Sequence, residues 1–236
     1  KMKVTTQGEE VINLPWDVIA AKGFERSTYF EMAARDIRAL PKLEGTVHVN
    51  IALIVKFMPN YFFNPAPYPE TPRRDDATHD EFLFRQGPAR GLGKIRFHDY
   101  NLVFDRFDLP NVAIFKEQVA VFKEFLARAT PSEEQALDTD FLLALGELFA
   151  QVVYAQLILE NAEIYHVHAD LVDQIFDFMV RDVSRYALQL YSKPSSTRQQ
   201  MEISLRMVRK PAFVEDRYRR VWAEVYALNG AYTMQP

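Results

Sequence analysis

The sequence predicts an all-α protein with two helical bundles joined by a long connection. Apolar residues recur at the period of an amphipathic helix in residues 1–58 and again in residues 111–236. No stretch of useful length alternates between apolar and polar residues, as a half-buried strand would. Of the 236 residues, 48% are hydrophobic, so the chain can fill a substantial core.

Residues 1–58 predict three helices, because glycine and proline interrupt an otherwise helical pattern. The approximate bounds are 1–21, 29–40 and 46–58, with ends at Gly23, Pro41 and Pro59. The first residues already have the pattern of an amphipathic helix, without an initiator Met or a signal-peptide pattern. We therefore expect this chain to be the C-terminal piece of a longer one.

Residues 59–110 have a different composition, rich in proline and glycine, and predict a long irregular connection. Aromatic residues are frequent there, which argues against disorder. These aromatic residues are Tyr61, Phe62, Phe63, Phe82, Phe84, Phe97 and Tyr100. Because they need burial, we expect the connection to be ordered against the bundle or against a neighbouring subunit.

Residues 111–236 return to the helical pattern and predict a second bundle. Two sets of apolar residues each fall on one helix face: Val112, Phe115, Val119, Phe122 and Leu126, and Val172, Ile175, Met179, Val183, Tyr186 and Leu190. Thr130, Pro131 and Glu133 predict a capped helix start. The segment SSTRQ at residues 195–199 predicts a second cap, and Pro211 and Gly230 predict breaks.

The composition excludes several classes of function. The net charge is −4 and the basic residues are spread through the chain, so we expect no nucleic-acid partner. The chain has no cysteine, which excludes disulfides, thiolate metal ligands and cysteine nucleophiles. The absence of cysteine favours an intracellular setting, and we predict a cytoplasmic localisation.

The most apolar run, residues 141–159, predicts a buried helix of the core. It contains Glu147 and Gln151 one helical turn apart, which gives a narrow polar stripe on an otherwise apolar helix. Such a stripe is typical of a core helix rather than of a membrane span, so we expect no membrane partner.

Three short motifs have a simpler structural interpretation than a chemical one. The segment QGPARGLGK at residues 86–94 fails as a phosphate loop in its glycine spacing and because Ile95 follows Lys94. His166 and His168 would point apart on a helix, so we interpret them as two partly exposed histidines at a helix junction and predict no metal site. The RRDD cluster at residues 73–76 is interpreted as solvated charge.

Glu44 lies between apolar Leu43 and Gly45, at a predicted break between helices. Glycine allows a close approach of the backbone to a ligand, and an apolar setting raises the pKa of a carboxyl toward neutrality, so Glu44 is a candidate general base. The alternative is an exposed acid that the helix dipole favours, with Thr46 helping to cap the next helix. Spacing alone favours this alternative.

The segment GFERSTYFEMAARDIRALPKLEGT, residues 23–46, resembles the segment near the C-terminal end of the acyl-CoA dehydrogenases. The matching positions, in one register without gaps, are Gly23, Phe24, Glu31, Arg35, Asp36, Glu44, Gly45 and Thr46. The following VHVNIALIVKFM is similar to the helix that ends the core of that family. The resemblance covers about the first sixty residues, and the remainder is similar to the helical C-terminal extension of longer members.

This resemblance implies that Glu44 removes the α-proton of an acyl-CoA thioester while a β-hydride passes to flavin N5, which leaves a trans-2-enoyl-CoA. It implies that Gly45 and Thr46 lie against the flavin, with Val47 and His48 beside it. Where the family has a Gln and a Gly-Gly pair that contact the adenosine end of FAD across a subunit interface, this chain has Asp17, Ala20 and Ala21.

The implied protein is the C-terminal portion of an FAD-dependent acyl-CoA dehydrogenase, divided into residues 1–58, 59–110 and 111–236. The N-terminal helical domain and the β-domain of that family have no counterpart in the chain. The implied partners are the acyl-CoA substrate and either further copies of the chain or the N-terminal part of the same enzyme. The alternative is a non-catalytic helical assembly or interaction subunit.

Overall fold

A computed structural model of the protein describes residues 1–26, 28–43, 45–67 and 95–231. Within these ranges the regular structure is helical and includes no strand, so the predicted all-α class is confirmed. The α-helices are α1 (Met2–Ile19), α2 (Tyr29–Ala39), α3 (Val47–Ile54), α4 (Met58–Phe63), α5 (Asn101–Phe104), α6 (Pro110–Arg128), α7 (Glu133–Leu137), α8 (Thr139–Ile164), α9 (Ala169–Tyr191), α10 (Arg198–Arg206) and α11 (Glu215–Ala227).

The predicted helix ends near Gly23 and Pro41 are confirmed, whereas the end at Pro59 is wrong. α1 passes into a 3-10 turn at Ala20–Phe24, and α2 passes into one at Leu40–Lys42. Pro59 instead lies in the first turn of α4, which continues to Phe63. Proline is tolerated there because the N–H groups of a first helical turn have no intrahelical acceptor.

The main core lies among α6, α8, α9 and α10, and both predicted apolar faces are confirmed. Phe115 of α6 and Phe176 of α9 are fully buried, with ring centroids 5.3 Å apart in an edge-to-face arrangement. Leu126 and Ile175, at the margins of the two faces, are half-buried. Buried aromatic side chains such as these contribute much of the stability of a domain core.

The two predicted helix caps differ in outcome. Thr197 caps α10 in a capping box with Gln200, so the cap predicted from the SSTRQ segment is confirmed. The start predicted at Thr130 is wrong, because Ser132 and Gln135 form the capping box of α7. The Thr130 hydroxyl donates to the Leu126 carbonyl at 3.0 Å, so it belongs to the end of α6.

α8 is long and apolar enough to cross a membrane by length and composition alone. In the structure it packs against α3, α5, α7 and α9, and 56% of its most apolar window is buried. Gln151 is fully buried and Glu147 is half-buried, as a polar stripe on a core helix requires. This packing supports the interpretation of α8 as a core helix.

The described ends of the connecting segment pack on the bundle through aromatic rings. Tyr61 and Tyr100 stack with centroids 5.3 Å apart, and the Tyr61 hydroxyl donates to Gln156 Oε1 at 2.6 Å. The predicted burial is confirmed for Tyr61, Phe62 and Tyr100. Phe97 is half-buried, and Phe63 remains 44% exposed. Phe82 and Phe84 lie outside the described residues.

The N-terminal helices join the bundle at two places. A Cβ on Gly146 of α8 would lie 2.4 Å from Ile51 Cγ2, so glycine allows α3 to approach α8 closely. Lys3 of α1 lies 3.7 Å from Asp182 of α9. α1 itself runs beside α2, where Gly8 meets Ile37.

Candidate functional site

The turn before α3 and the first turn of that helix hold four of the residues that the resemblance assigned to the flavin. Gly45 has φ +93°, a left-handed conformation that favours glycine. Its carbonyl accepts hydrogen bonds from Lys1 Nζ at 2.7 Å and Asn50 Nδ2 at 2.9 Å. Glu44, the predicted base, lies outside the described residues. Gly45 therefore fixes a defined turn immediately after Glu44 in sequence.

Thr46, Val47 and His48 form the entry to α3. Thr46 is the N-cap residue but its side chain makes no cap hydrogen bond, so the backbone N–H groups of the first turn lack that partner. His48 is exposed and Val47 is half-buried. Without a cap from Thr46, and within the described residues, these N–H groups and the positive end of the helix dipole suit an electron-rich group of a ligand.

A groove of about 790 Å³ lies between α1 and α2 and contains two of the three residues predicted at the adenosine end of FAD. Asp17 and Ala20 line it, whereas Ala21 is exposed outside the lining. The other lining residues are Asn13, Trp16, Phe24, Glu31, Ala34, Arg35 and Arg38.

Two aromatic rings form one end of this groove. Trp16 and Phe24 have centroids 4.8 Å apart, and Phe24 is 72% exposed. A Cβ on Gly23 would lie 2.4 Å from Trp16 Nε1, so only glycine allows this arrangement. Trp16 Nε1 is buried and has no hydrogen-bond partner among the described residues. This donor is packed against Gly23, inside the chain rather than in the open part of the groove.

The charged residues of the groove are balanced. Arg35 lies 3.2 Å from Glu31 and 3.5 Å from Asp36, and all three are at least 40% exposed in their side chains. Arg38 and Asp17 are also exposed. A planar ring against the aromatic end and a phosphate against the arginines are the contacts that this groove can make.

The turn at Gly45 and the α1–α2 groove lie at opposite ends of α1. Lys1 contacts Gly45, whereas the groove is formed by residues 13–20 of α1. From residue 1 to residue 17, a helix rises about 24 Å along its axis at about 1.5 Å per residue. One chain therefore does not bring the two sets of predicted flavin contacts together.

A buried polar cluster, which the sequence indicated only by the spacing of Glu147 and Gln151, lies where α1 meets α8 and α9. Lys3 Nζ lies 3.5 Å from the Tyr186 hydroxyl, and Gln151 Nε2 donates to Asp182 Oδ2 at 3.3 Å. Burial lowers the pKa of Lys3, raises the pKa of Glu147 and raises the pKa of Tyr186 to about 12. Perturbed groups cluster at functional sites and at structural ion networks alike.

The remaining sequence motifs add no ligand set. His166 and His168 lie at the junction of α8 and α9, as the sequence predicts, and His168 Nε2 contacts Glu224 Oε2 at 2.7 Å. Within the described ranges no group of three His, Cys, Asp or Glu residues could hold a metal ion. Residues 73–76 and 86–94 lie outside the described residues.

Comparison with models of protein families, with curated proteins and with solved structures finds no match for this chain. The resemblance of residues 23–46 to acyl-CoA dehydrogenases therefore stays a prediction from the sequence.

Proposed function

We propose that this chain is the C-terminal helical portion of an FAD-dependent acyl-CoA dehydrogenase, with Glu44 as the base. The single observation that carries the proposal is the uninterrupted block from Gly23 to Thr46. Its two glycines each have a structural reason: Gly23 makes room for the Trp16 side chain, and Gly45 has a positive φ. The block therefore combines a candidate base with a turn that suits glycine.

The proposed reaction transfers one proton and one hydride from the acyl thioester. The Glu44 carboxylate takes the α-proton of the acyl thioester, and the electron pair of that C–H bond forms the new C=C bond as the β-hydride leaves. FAD, when bound, would accept the β-hydride at N5. Gly45, Thr46, Val47 and His48 would hold the flavin end of the cofactor. Asp17 and Ala20, in the groove, would contact the adenosine end, together with Ala21.

The separation of these two sets along α1 supports a cofactor shared between subunits. One copy would supply the turn at Gly45, and a second copy would supply the groove. The exposed apolar residues of α1 support the same arrangement, because they need cover that the described residues do not give. These residues are Val4, Val11, Leu14 and Val18, each at least 60% exposed.

Glu44→Gln tests the proposed base in the complete native assembly. The amide keeps the size of the side chain and removes its basic lone pair, so flavin reduction by acyl-CoA slows by about 10²–10⁴-fold while binding persists. Stopped-flow bleaching of the flavin measures the rate, with Glu25→Gln as a matched control from an exposed acid nearby. Near-normal bleaching in Glu44→Gln eliminates this base.

Thermal unfolding of the same variant separates the proposal from the alternative role of Glu44 at a helix start. Loss of a desolvated carboxylate leaves the free energy of unfolding unchanged or slightly raised. An acid that acts only through the helix dipole predicts a loss of about 0.3–1 kcal/mol with unchanged turnover.

The cofactor gives a second test. We expect FAD to bind where a longer chain or a partner subunit completes the site, and the 236-residue chain alone to be colourless after purification. Visible absorbance measures this directly. Tight stoichiometric flavin on the isolated chain contradicts the proposed division of the site.

A non-catalytic assembly subunit is the second candidate, and the exposed faces of two helices favour it. Besides α1, the C-terminal helix α11 exposes an apolar stripe at helical spacing, formed by Tyr218, Trp222, Val225 and Tyr226. Such stripes are typical of helices that pack on a partner. This candidate would be favoured if the chain forms its native assembly without flavin, and if Glu44→Gln assembles as the parent does.

A further inference from the structure

A basic groove of about 690 Å³ lies between α9 and the connection from α10 to α11. Arg181 and Arg185 of α9 line one wall, and Arg209 and Lys210 of the connection line the other. The described lining residues include no carboxylate. Four cations on one groove contrast with the net charge of −4 of the whole chain.

Polar side chains of α6 and α9 fix the two walls relative to each other. Gln118 of α6 is fully buried, and its Nε2 donates to the Met207 carbonyl at 2.8 Å and the Val180 carbonyl at 3.1 Å. The Ser184 hydroxyl accepts from the Arg209 backbone N–H at 3.0 Å. The connection is therefore bonded to α6 and α9 just where its two cations lie. A fixed backbone lowers the entropy lost when the cations bind a ligand.

The cations keep donors for a ligand. Arg181 uses Nε for Asp177 at 2.8 Å, and one Nη of Arg185 contacts both the Tyr186 hydroxyl at 3.0 Å and Asp182 Oδ1 at 3.5 Å. Arg209 lies at a longer 3.8 Å from Glu117, and Lys210 has no ion pair within the described part of the chain. Each guanidinium has five N–H donors, so donors remain on all three arginines.

We propose that this groove binds a small soluble ligand through a diphosphate group. Arginine and lysine are the side chains that recognise phosphoryl oxygens, and two cations on each wall suit two adjacent phosphoryl groups better than one. The site is independent of Glu44 and of the flavin, so it goes beyond the proposed function.

Isothermal titration of the 236-residue chain with inorganic pyrophosphate tests the site. The expected result is 1:1 binding that weakens with added salt and that ADP displaces. Lys210→Gln, which breaks no described ion pair, weakens pyrophosphate binding about 10-fold. Arg209→Gln combined with Lys210→Gln weakens it about 100-fold or more, since each change removes a charged hydrogen bond. The backbone bond between residues 209 and 184 survives both changes.

Arg198→Gln is the matched control, because Arg198 is 93% exposed in its side chain and lies on α10 outside the groove. Its affinity for pyrophosphate should equal that of the parent, and thermal unfolding should show that all variants remain folded. Equal weakening in Arg198→Gln, or no weakening in the double variant, overturns the site. Absence of pyrophosphate binding also overturns it.

Two further titrations separate a soluble diphosphate from other anions. Sulfate at the same ionic strength should bind at least 10-fold more weakly than pyrophosphate if two adjacent phosphoryl groups are recognised. Equal binding of sulfate overturns the proposal in favour of charge attraction alone. Binding to phosphatidic acid vesicles without binding to pyrophosphate overturns it in favour of a lipid headgroup.

Discussion

Helices α1 and α6 have nearly the same length, 18 and 19 residues, but bury very different shares of their sequence. α6 buries eight residues, including Val112, Phe115 and Phe122, whereas α1 buries only Met2 and Lys3. α1 is not short of apolar residues, since Leu14 and other apolar residues lie exposed on it. The C-terminal bundle thus buries its core within the described chain, whereas most of the apolar face of α1 is exposed.

Helix capping differs between the regions in the same direction. Among the first three helices, the N-cap residues Lys1, Thr28 and Thr46 make no side-chain cap bond. In the C-terminal bundle, α7, α8 and α10 begin with one, whereas α6, α9 and α11 do not. A helix with neither cap nor buried face is marginal in water, so the N-terminal helices depend on packing against other surfaces. The C-terminal bundle, with its own core and three capped helices, depends less on such surfaces.

Phe115→Ala against Leu14→Ala tests this comparison with the largest expected effect. Phe115 is fully buried between Phe104 and Phe176, so its loss lowers the free energy of unfolding by about 3–5 kcal/mol. Leu14 is 61% exposed, and its change stays within about 0.5 kcal/mol in the isolated chain. Urea unfolding of both variants measures the difference.

The comparison fails if Leu14→Ala destabilises the isolated chain as much as Phe115→Ala. If Leu14→Ala weakens the native assembly without changing the isolated chain, the exposed face of α1 is an interface. Analytical ultracentrifugation of the assembly distinguishes these outcomes.

The sequence predicted the bundle well because its signals are local. Apolar spacing located both buried faces, and the SSTRQ segment located the cap of α10. The cap of α7 was misplaced because Thr130 and Ser132 each stand three residues before a residue that can close a box, and only contacts decide between them. The helix end predicted at Pro59 is wrong for a similar reason, because proline is common both just after a helix and in its first turn.

The candidate site was predictable only in part. Gly45 and Gly23 were singled out by sequence, and the structure gives each a backbone or packing reason. The basic groove was not predictable, because its cations come from segments 181–185 and 209–210 that only the tertiary fold brings together. The partners of Lys3 were hidden for the same reason, since Asp182 and Tyr186 are far away in sequence.

Gly45→Ala tests how firmly the turn before α3 is held in the N-terminal region. At φ +93° an L-residue costs about 1–2 kcal/mol, while the nearest atom to the new methyl would be Asn50 Nδ2 at 3.4 Å. We therefore expect a loss of about that size, confined to α3 and its neighbours. Hydrogen exchange of the α3 amides measures it, with Gly230→Ala beyond α11 as the control. Unchanged exchange in α3 would show that the turn relaxes freely.

Thr197→Ala and Thr46→Ala form a matched pair with a smaller effect. Thr197 Oγ1 accepts from the Gln200 backbone N–H at 3.2 Å, so its loss costs about 1 kcal/mol. Thr46 has the same position in α3 without that bond, so its loss costs less. Thermal unfolding of both variants, monitored by circular dichroism, gives the difference. Equal losses of stability in the two variants would show that side-chain capping does not distinguish the two regions.

Glu147→Gln has the smallest expected effect and tests the place where the two regions meet. Burial raises the pKa of Glu147 above its ordinary 4.5, so between pH 4.5 and that raised value the folded chain binds more protons than the unfolded chain. Stability due to this group is therefore greatest at low pH and is lost as pH rises through that window. The amide does not titrate, so Glu147→Gln lacks this loss and is the more stable protein at neutral pH.

The neighbours of Glu147 are common to both proteins, but Lys3 interacts with Glu147 through charge. Burial lowers the pKa of Lys3, whose contribution rises with pH up to 10.5 and so has the opposite sign. Because the charge of Glu147 raises the pKa of Lys3, the difference between the two unfolding curves reports the coupled pair of Glu147 and Lys3. Urea unfolding from pH 4 to pH 8, with Glu134→Gln as an exposed control, should give curves that diverge as pH rises. Parallel curves for Glu147→Gln and the parent would mean that Glu147 stays solvated in the folded chain.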